Sequence, residues 1–288
     1  MSGDRVHVDG RIVPADEATV SVRDRGFRYG DAAVETVRVY GGTVFEWEAH
    51  VERLARACRA LGFDEAMPPA DDLRERVLET VAANDLADAL ARVSITRGVQ
   101  SGDLTPDPRV APTIVVTVDE MPRGGTEGEA VWDGPATVET VERRAVPAAA
   151  LPSGIRTHNG LNAVLARRET AADEALLRDI EGHVVGGAGS TLFFVNGGVL
   201  KTAATDLDVV QRVIRDVVLD LAREETFPVE TGSYAVSDVR EADEVFLANT
   251  AWEVRPVRAV DGIDCDVGPM TKLLARLVDE RVEQVCYE

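Results

Sequence analysis

Apolar and polar residues alternate from the first strand onward. Arg5-Val6-His7-Val8 and Ile12-Val13 flank Asp9-Gly10, and Asp-Gly between alternating runs predicts a hairpin. The runs 35–40 and 43–47 flank Gly41-Gly42 and predict a second hairpin. The period then changes. Val51, Leu54, Ala55, Cys58 and Leu61 recur at helical spacing, which predicts an amphipathic helix over 48–61. Pro68 and Pro69 precede another helix over 71–83, and strands follow over 91–97 and 112–119.

The stretch 121–134 holds Pro122, Gly124, Gly125, Gly128 and Gly134 and reads as a linker. The domain division expected is therefore 1–120, the linker, and 135–288. In the second half the pattern predicts a strand over 136–145, a helix over 160–173, and hairpins turning at Glu181-Gly182 and Asn196-Gly197-Gly198. Val209, Val210, Val213, Ile214, Val217, Val218 and Leu221 mark an amphipathic helix. Strands over 244–248 and 253–260 and a helix over 270–284 complete the chain. The mixture predicts an α+β class with two lobes, and a cleft between lobes is a usual place for a ligand.

Composition narrows the function. The chain has 288 residues, 45% hydrophobic, with a formal net charge of −20. Of its 31 basic residues only Lys201 and Lys272 are lysines. Such an acidic, lysine-poor composition resembles that of proteins from salt-loving organisms, where carboxylates hold water and ions. The arginines are dispersed among acids, so no concentrated positive groove for nucleic acid is expected. No apolar run approaches the roughly 20 residues of a membrane span, and residues 1–10 are polar. Cys58, Cys265 and Cys286 are widely spaced, without metal-ligand spacing. Free thiols in a cytoplasmic protein are the expectation, with Cys58 in the core.

Several motifs carry chemistry. Arg23-Asp-Arg-Gly-Phe-Arg-Tyr-Gly-Asp31 runs into Glu35-Thr-Val-Arg-Val-Tyr40, and His50-Val-Glu-Arg53-Leu54 follows. Ser94-Ile-Thr-Arg97-Gly98, Asn159-x-Leu161, Ala188-Gly-Ser-x-Leu192-Phe193 and Phe246-Leu-Ala-Asn249-Thr250 come in order. Together these resemble the class IV pyridoxal-phosphate (PLP) enzymes over essentially the whole chain. That family includes branched-chain and D-amino acid aminotransferases and aminodeoxychorismate lyase. The resemblance implies the two-lobed fold type IV architecture. The direct spacing around Asn159 is most similar to the lyase and D-amino acid aminotransferase branch.

PLP chemistry needs a lysine amine for the Schiff base, a carboxylate at the pyridine nitrogen, and a phosphate cradle. The resemblance assigns the lysine position to Arg156, the carboxylate position to Gly186, and part of the phosphate turn to Val213 and Ile214. Arg53 and Thr250 are implied as cofactor-binding, and Val34 and Arg97 as substrate-side. A guanidinium stays protonated at physiological pH and forms no useful Schiff base. At Gly186 the carboxylate is missing, and Arg212-Val213-Ile214 lacks the family's glycine and threonine. Covalent PLP attachment is therefore not expected. Plainer alternatives stand beside these roles: Arg53 in a surface ion pair with Glu48 or Glu52, Arg97 on a strand surface, Thr250 as a turn residue. His158 is expected to satisfy a backbone group, Trp252 to pack, and both lysines to lie at the surface.

Two functions remain open: an active aminotransferase or aminodeoxychorismate lyase using an unrecognised arrangement, or a relative with impaired or lost chemistry. Arg156 is expected to point into the cleft, on the side of Arg53 and Thr250, and to favour an anion. The resemblance also implies a homodimer, or a heterodimer with an intact relative, acting on a small anion or amino-acid-like substrate.

Overall fold

Asp9 and Gly10 adopt positive φ of 47° and 84°, and this primed turn joins β1 (Arg5–Val8) to β2 (Arg11–Pro14). The computed structural model describes residues 4–124, 131–152 and 154–287. Residues 125–130 of the expected linker lie outside the described residues. The chain divides into two units. The first runs to Pro122 and takes in Ile155–Asn159 and the residues from Val282 onward; the second holds Arg123–Gly154 and Gly160–Arg281.

In the first unit the elements after the hairpin are α1 (Arg25–Tyr29), β3 (Ala32–Tyr40), β4 (Thr43–Val44), α2 (Trp47–Ala60), α3 (Ala70–Ala83), β5 (Ala89–Thr96) and β6 (Ile114–Glu120). The six strands form an antiparallel sheet in the order β2-β1-β6-β5-β3-β4. Alternate residues of β3 (Ala33, Val37, Val39) and β5 (Ala89, Ala91, Val93, Ile95) turn to one face. There they pack against Leu54, Ala57 and Cys58 of α2 and Leu73, Val77 and Val81 of α3.

The second unit contains β7 (Ala136–Arg144), α4 (Leu161–Arg167), β8 (Glu174–Arg178), β9 (Val184–Gly187), β10 (Thr191–Asn196), β11 (Val199–Ala203), α5 (Val213–Glu224), β12 (Val229–Gly232), α6 (Val236–Arg240), β13 (Glu244–Asn249), β14 (Glu253–Val260), β15 (Ile263–Asp264) and most of α7 (Pro269–Cys286). Its sheet runs β12-β11-β10-β13-β14-β7-β8-β9, with β15 on β14. The pairs β7–β8, β7–β14 and β11–β12 are parallel. Leu176, Leu192, Phe194, Val245 and Leu247 share one core cluster with Val239 of α6. Buried Glu244 accepts from the amides of Met270 and Thr271 and from the Thr271 hydroxyl, at 3.2, 2.7 and 2.7 Å, and so caps α7.

Several boundaries differ from expectation. The helix expected over 160–173 stops at Arg167, where Thr170 folds the chain back by accepting from the Ala172 amide at 2.9 Å. The helix expected from Val209 begins at Val213, because Val209 is consumed by a separate core cluster. The second strand of the Gly41-Gly42 hairpin ends at Val44, and Trp47 already belongs to α2. Four elements have no counterpart in the sequence reading: α1, β12, α6 and β15.

Candidate functional site

The segment Ile155–Asn159 belongs with the first unit and lies antiparallel along the start of β3. The Val34 amide donates to the Arg156 carbonyl at 3.1 Å, and the His158 amide donates to Ala32 at 3.3 Å. Thr157 bridges Ala33. Asn159 donates from Nδ2 to the Gly30 carbonyl at 3.1 Å. Two of the stretches that carry the motifs are thus joined by backbone pairing.

On the core face of β3 sits a charged lock. Glu35 is 2% exposed, and His50 and Arg53, three residues apart on α2, are 1% and 3% exposed. Arg53 donates to both Glu35 oxygens, from Nε at 2.8 Å and from Nη2. His50 Nδ1 lies 3.1 Å from Oε1 and the Thr36 amide donates to the same oxygen at 3.0 Å. Burial alone would raise the Glu35 pKa, but the Arg53 charge and the bonds from His50 and Arg53 hold it down at about 2. Arg53 is therefore no surface ion pair with Glu48 or Glu52. Sequence reasoning quoted Glu35 and His50 without giving them this role. The available signal was the three-residue spacing of two polar residues on the inner stripe of an amphipathic helix.

The opposite face of β3 carries different residues. Val34 pairs with Ser94 and Thr36 with Arg92 in register, and paired residues share a face. Arg156 lies opposite Val34, and His158 Nε2 reaches the Ser94 hydroxyl at 3.0 Å, a side chain rather than the backbone group expected. Arg156 is half-buried, and its guanidinium makes no hydrogen bond or ion pair among the described residues. Burial lowers its pKa; Glu35 opposes that shift, while Arg53 and Arg92 reinforce it. The first unit contains no lysine.

Arg97 is placed apart from this face. It is buried, donates from Nε to Asp31 at 2.7 Å, and donates to the carbonyls of Leu61 and Gly62. Arg25 donates to the same Asp31 oxygen at 2.9 Å. Desolvation would raise the Asp31 pKa, but the bonds from Arg97 and Arg25 prevail and lower it.

The remaining sequence candidates fall in the second unit. Gly186 on β9 has φ of +129°, and a Cβ there would meet the Ser190 carbonyl oxygen at 3.1 Å. A carboxylate side chain at this position is thus disfavoured by the backbone itself. Val213 and Ile214 open α5 with buried side chains, and Arg212 supplies no side-chain cap. Thr250 sits in the turn after β13, where Asn249 Oδ1 accepts from the amides of Ala251 and Trp252 at 2.9 and 2.7 Å. Trp252 packs partly buried, with the Arg255 guanidinium 5.1 Å from its ring. Lys201 pairs with Glu230 at 3.3 Å, and Lys272 is exposed on α7.

Residues 32–260 match the model of the family described as amino-transferase class IV. The chain belongs to that family. It is 37% identical to a putative branched-chain-amino-acid aminotransferase of Methanocaldococcus jannaschii, over 94% of this chain and 93% of the relative. It is 31% identical to a D-alanine aminotransferase of Listeria monocytogenes, over 99% and 98%. The crystal structure of 4-amino-4-deoxychorismate lyase from Pseudomonas aeruginosa superposes with a TM-score of 0.82 at 30% identity, over 98% of this chain and all of that one. The architecture is fold type IV, and the family is PLP-dependent.

Arg156 offers no nucleophilic amine, Gly186 offers no carboxylate, and Arg53 is engaged with Glu35. Among the described residues no cluster of three or more His, Cys, Asp and Glu is placed to hold a metal, and no helix is long and apolar enough to cross a membrane.

Proposed function

We propose that this chain is a class IV aminotransferase-family protein, aminodeoxychorismate lyase-like, that has lost covalent PLP chemistry and serves as a binding protein or dimer partner. The observation that carries the reading is Arg156, held against β3 by the Val34 amide in a unit without a lysine. A second support is the backbone at Gly186, which is unsuited to the carboxylate that keeps the pyridine nitrogen protonated. PLP, if held, is held without a covalent bond.

The proposed assembly is a homodimer, or a heterodimer with an intact relative. An apolar patch in the first unit supports it. Val22, Phe27, Val99 and Leu104 are all exposed, Phe27 and Leu104 at 72% and 75%. Arg25, two residues before Phe27, donates to the carbonyls of Asp103 and Leu104 at 2.8 and 3.0 Å, and Asp24 bridges Val99. Grouped exposed apolar side chains mark interaction surfaces. The proposed location is the cytoplasm.

The test is the absorbance spectrum of purified protein with added PLP, followed by borohydride. The expected result is no internal aldimine and no reducible adduct at a defined position. A stoichiometric adduct would instead support the second reading, an active aminotransferase or lyase, which the full-length similarity to such enzymes favours.

A further inference from the structure

We propose that Arg156 forms, on the non-core face of the first unit's sheet, a non-covalent site for a small monocarboxylate. The inference rests on the reading that position 156 no longer does Schiff-base chemistry. Strand register places Arg156, His158, Ser94 and Arg92 on the same face. The His158–Ser94 contact at 3.0 Å agrees with that placement.

The charge balance on this face is unequal. The Arg156 guanidinium has no hydrogen-bonded or ion-paired partner among the described residues. Glu35 is the acid whose field reaches it, but that carboxylate already accepts from Arg53, His50 and the Thr36 amide. Arg53 neutralises Glu35, so Arg156 is left as one half-buried positive charge. Arg92 is exposed and keeps its water. None of the Arg156 guanidinium nitrogens is fully buried, so the donors stay open to an approaching anion. One uncompensated charge calls for a monoanion, and the planar fork matches a carboxylate in two parallel bonds. A dianion would leave an extra negative charge to desolvate.

The test is calorimetric titration with acetate at constant ionic strength, with phosphate and chloride as comparisons. Wild type should bind acetate saturably at one site, and phosphate no more tightly. Arg156→Met should weaken acetate by about tenfold or more, as expected for a lost charged bidentate contact. In chloride alone Arg156→Met should melt no lower than wild type, because it removes an unpaired cation. Should the methionine variant fail to fold, Arg156→Lys keeps the charge without the fork, and its acetate affinity should fall. No saturable acetate binding, tighter phosphate binding, or unchanged acetate affinity in either variant overturns the site. The borohydride experiment on wild type judges the proposed function separately, since it reads a covalent bond that acetate binding does not require.

Discussion

Replacing Glu35 by glutamine tests the lock between β3 and α2. The substitution keeps the shape and removes the charge, leaving the Arg53 guanidinium almost wholly out of water without its counter-ion. Stranding one half of a buried pair costs about 3–5 kcal/mol. A second route gives a similar figure. The Glu35 pKa falls from 4.5 to about 2 on folding, and at about 1.4 kcal/mol per unit that is worth about 3 kcal/mol. The sign follows from the direction of the shift. A depressed carboxyl stabilises fully above its unfolded value of 4.5 and loses that contribution as pH falls toward 2. Urea unfolding of wild type and Glu35→Gln should differ by about 3 kcal/mol at pH 7, and the gap should narrow steadily below pH 4.5. The other acids are common to both chains and cancel in the difference. Glu35→Leu with Arg53→Met should recover much of the loss, because it removes both charges together. A difference under about 1 kcal/mol at pH 7, the size of a surface pair, or a gap constant with pH, would refute the lock.

Three further outcomes are expected. Gly98→Ala should cost more than about 2 kcal/mol, since φ there is +82° and an added Cβ would lie 1.8 Å from the Ala111 carbonyl oxygen; thermal unfolding reads it. The Cys58 thiol, fully buried and pushed up to about 12 chiefly by desolvation, should resist thiol reagents at pH 8 until the protein is denatured. Arg156→Lys alone should give little aminotransferase turnover, and adding Gly186→Glu should give more than either change alone, while lowering the melting temperature through strain at φ +129°; family-like turnover from Arg156→Lys by itself would show that Gly186 is no second lesion.

Much of the fold was legible because its punctuation is local. Asp9-Gly10, Gly41-Gly42 and Gly197-Gly198 all adopt the positive φ that hairpin turns require. The stripes of α2 and α7 were long enough for the helical period to show. By contrast α1 has five residues, too few to display a period. Its signals were the caps: Asp24, whose side chain accepts from Gly26, and Gly30 in the left-handed region. Apolar pattern also misplaced the start of α5, because Val209 is apolar for a core contact made before the helix begins. Position 156 could be located by counting from Asn159. The commitment of Arg97 to Asp31 and two carbonyls could not, since Leu61 and Gly62 lie 36 and 35 residues away.

The pleat of β3 separates two sets of side chains. Ala33, Glu35, Val37 and Val39 turn to the core, where Glu35 fastens α2 through His50 and Arg53. Val34 and Thr36 turn to the face that also receives Arg156 and His158. A change at Arg156 therefore leaves the packing contacts on the core side of the strand in place, though Glu35 and Arg53 feel its charge. Position 156 also accepts a change of side chain: its carbonyl is held by the Val34 amide, a backbone bond indifferent to side chain. Core packing and the Arg156–His158 segment thereby lie on opposite faces of one strand. Substitutions on the core face should be felt in unfolding, and those at Arg156 in ligand binding.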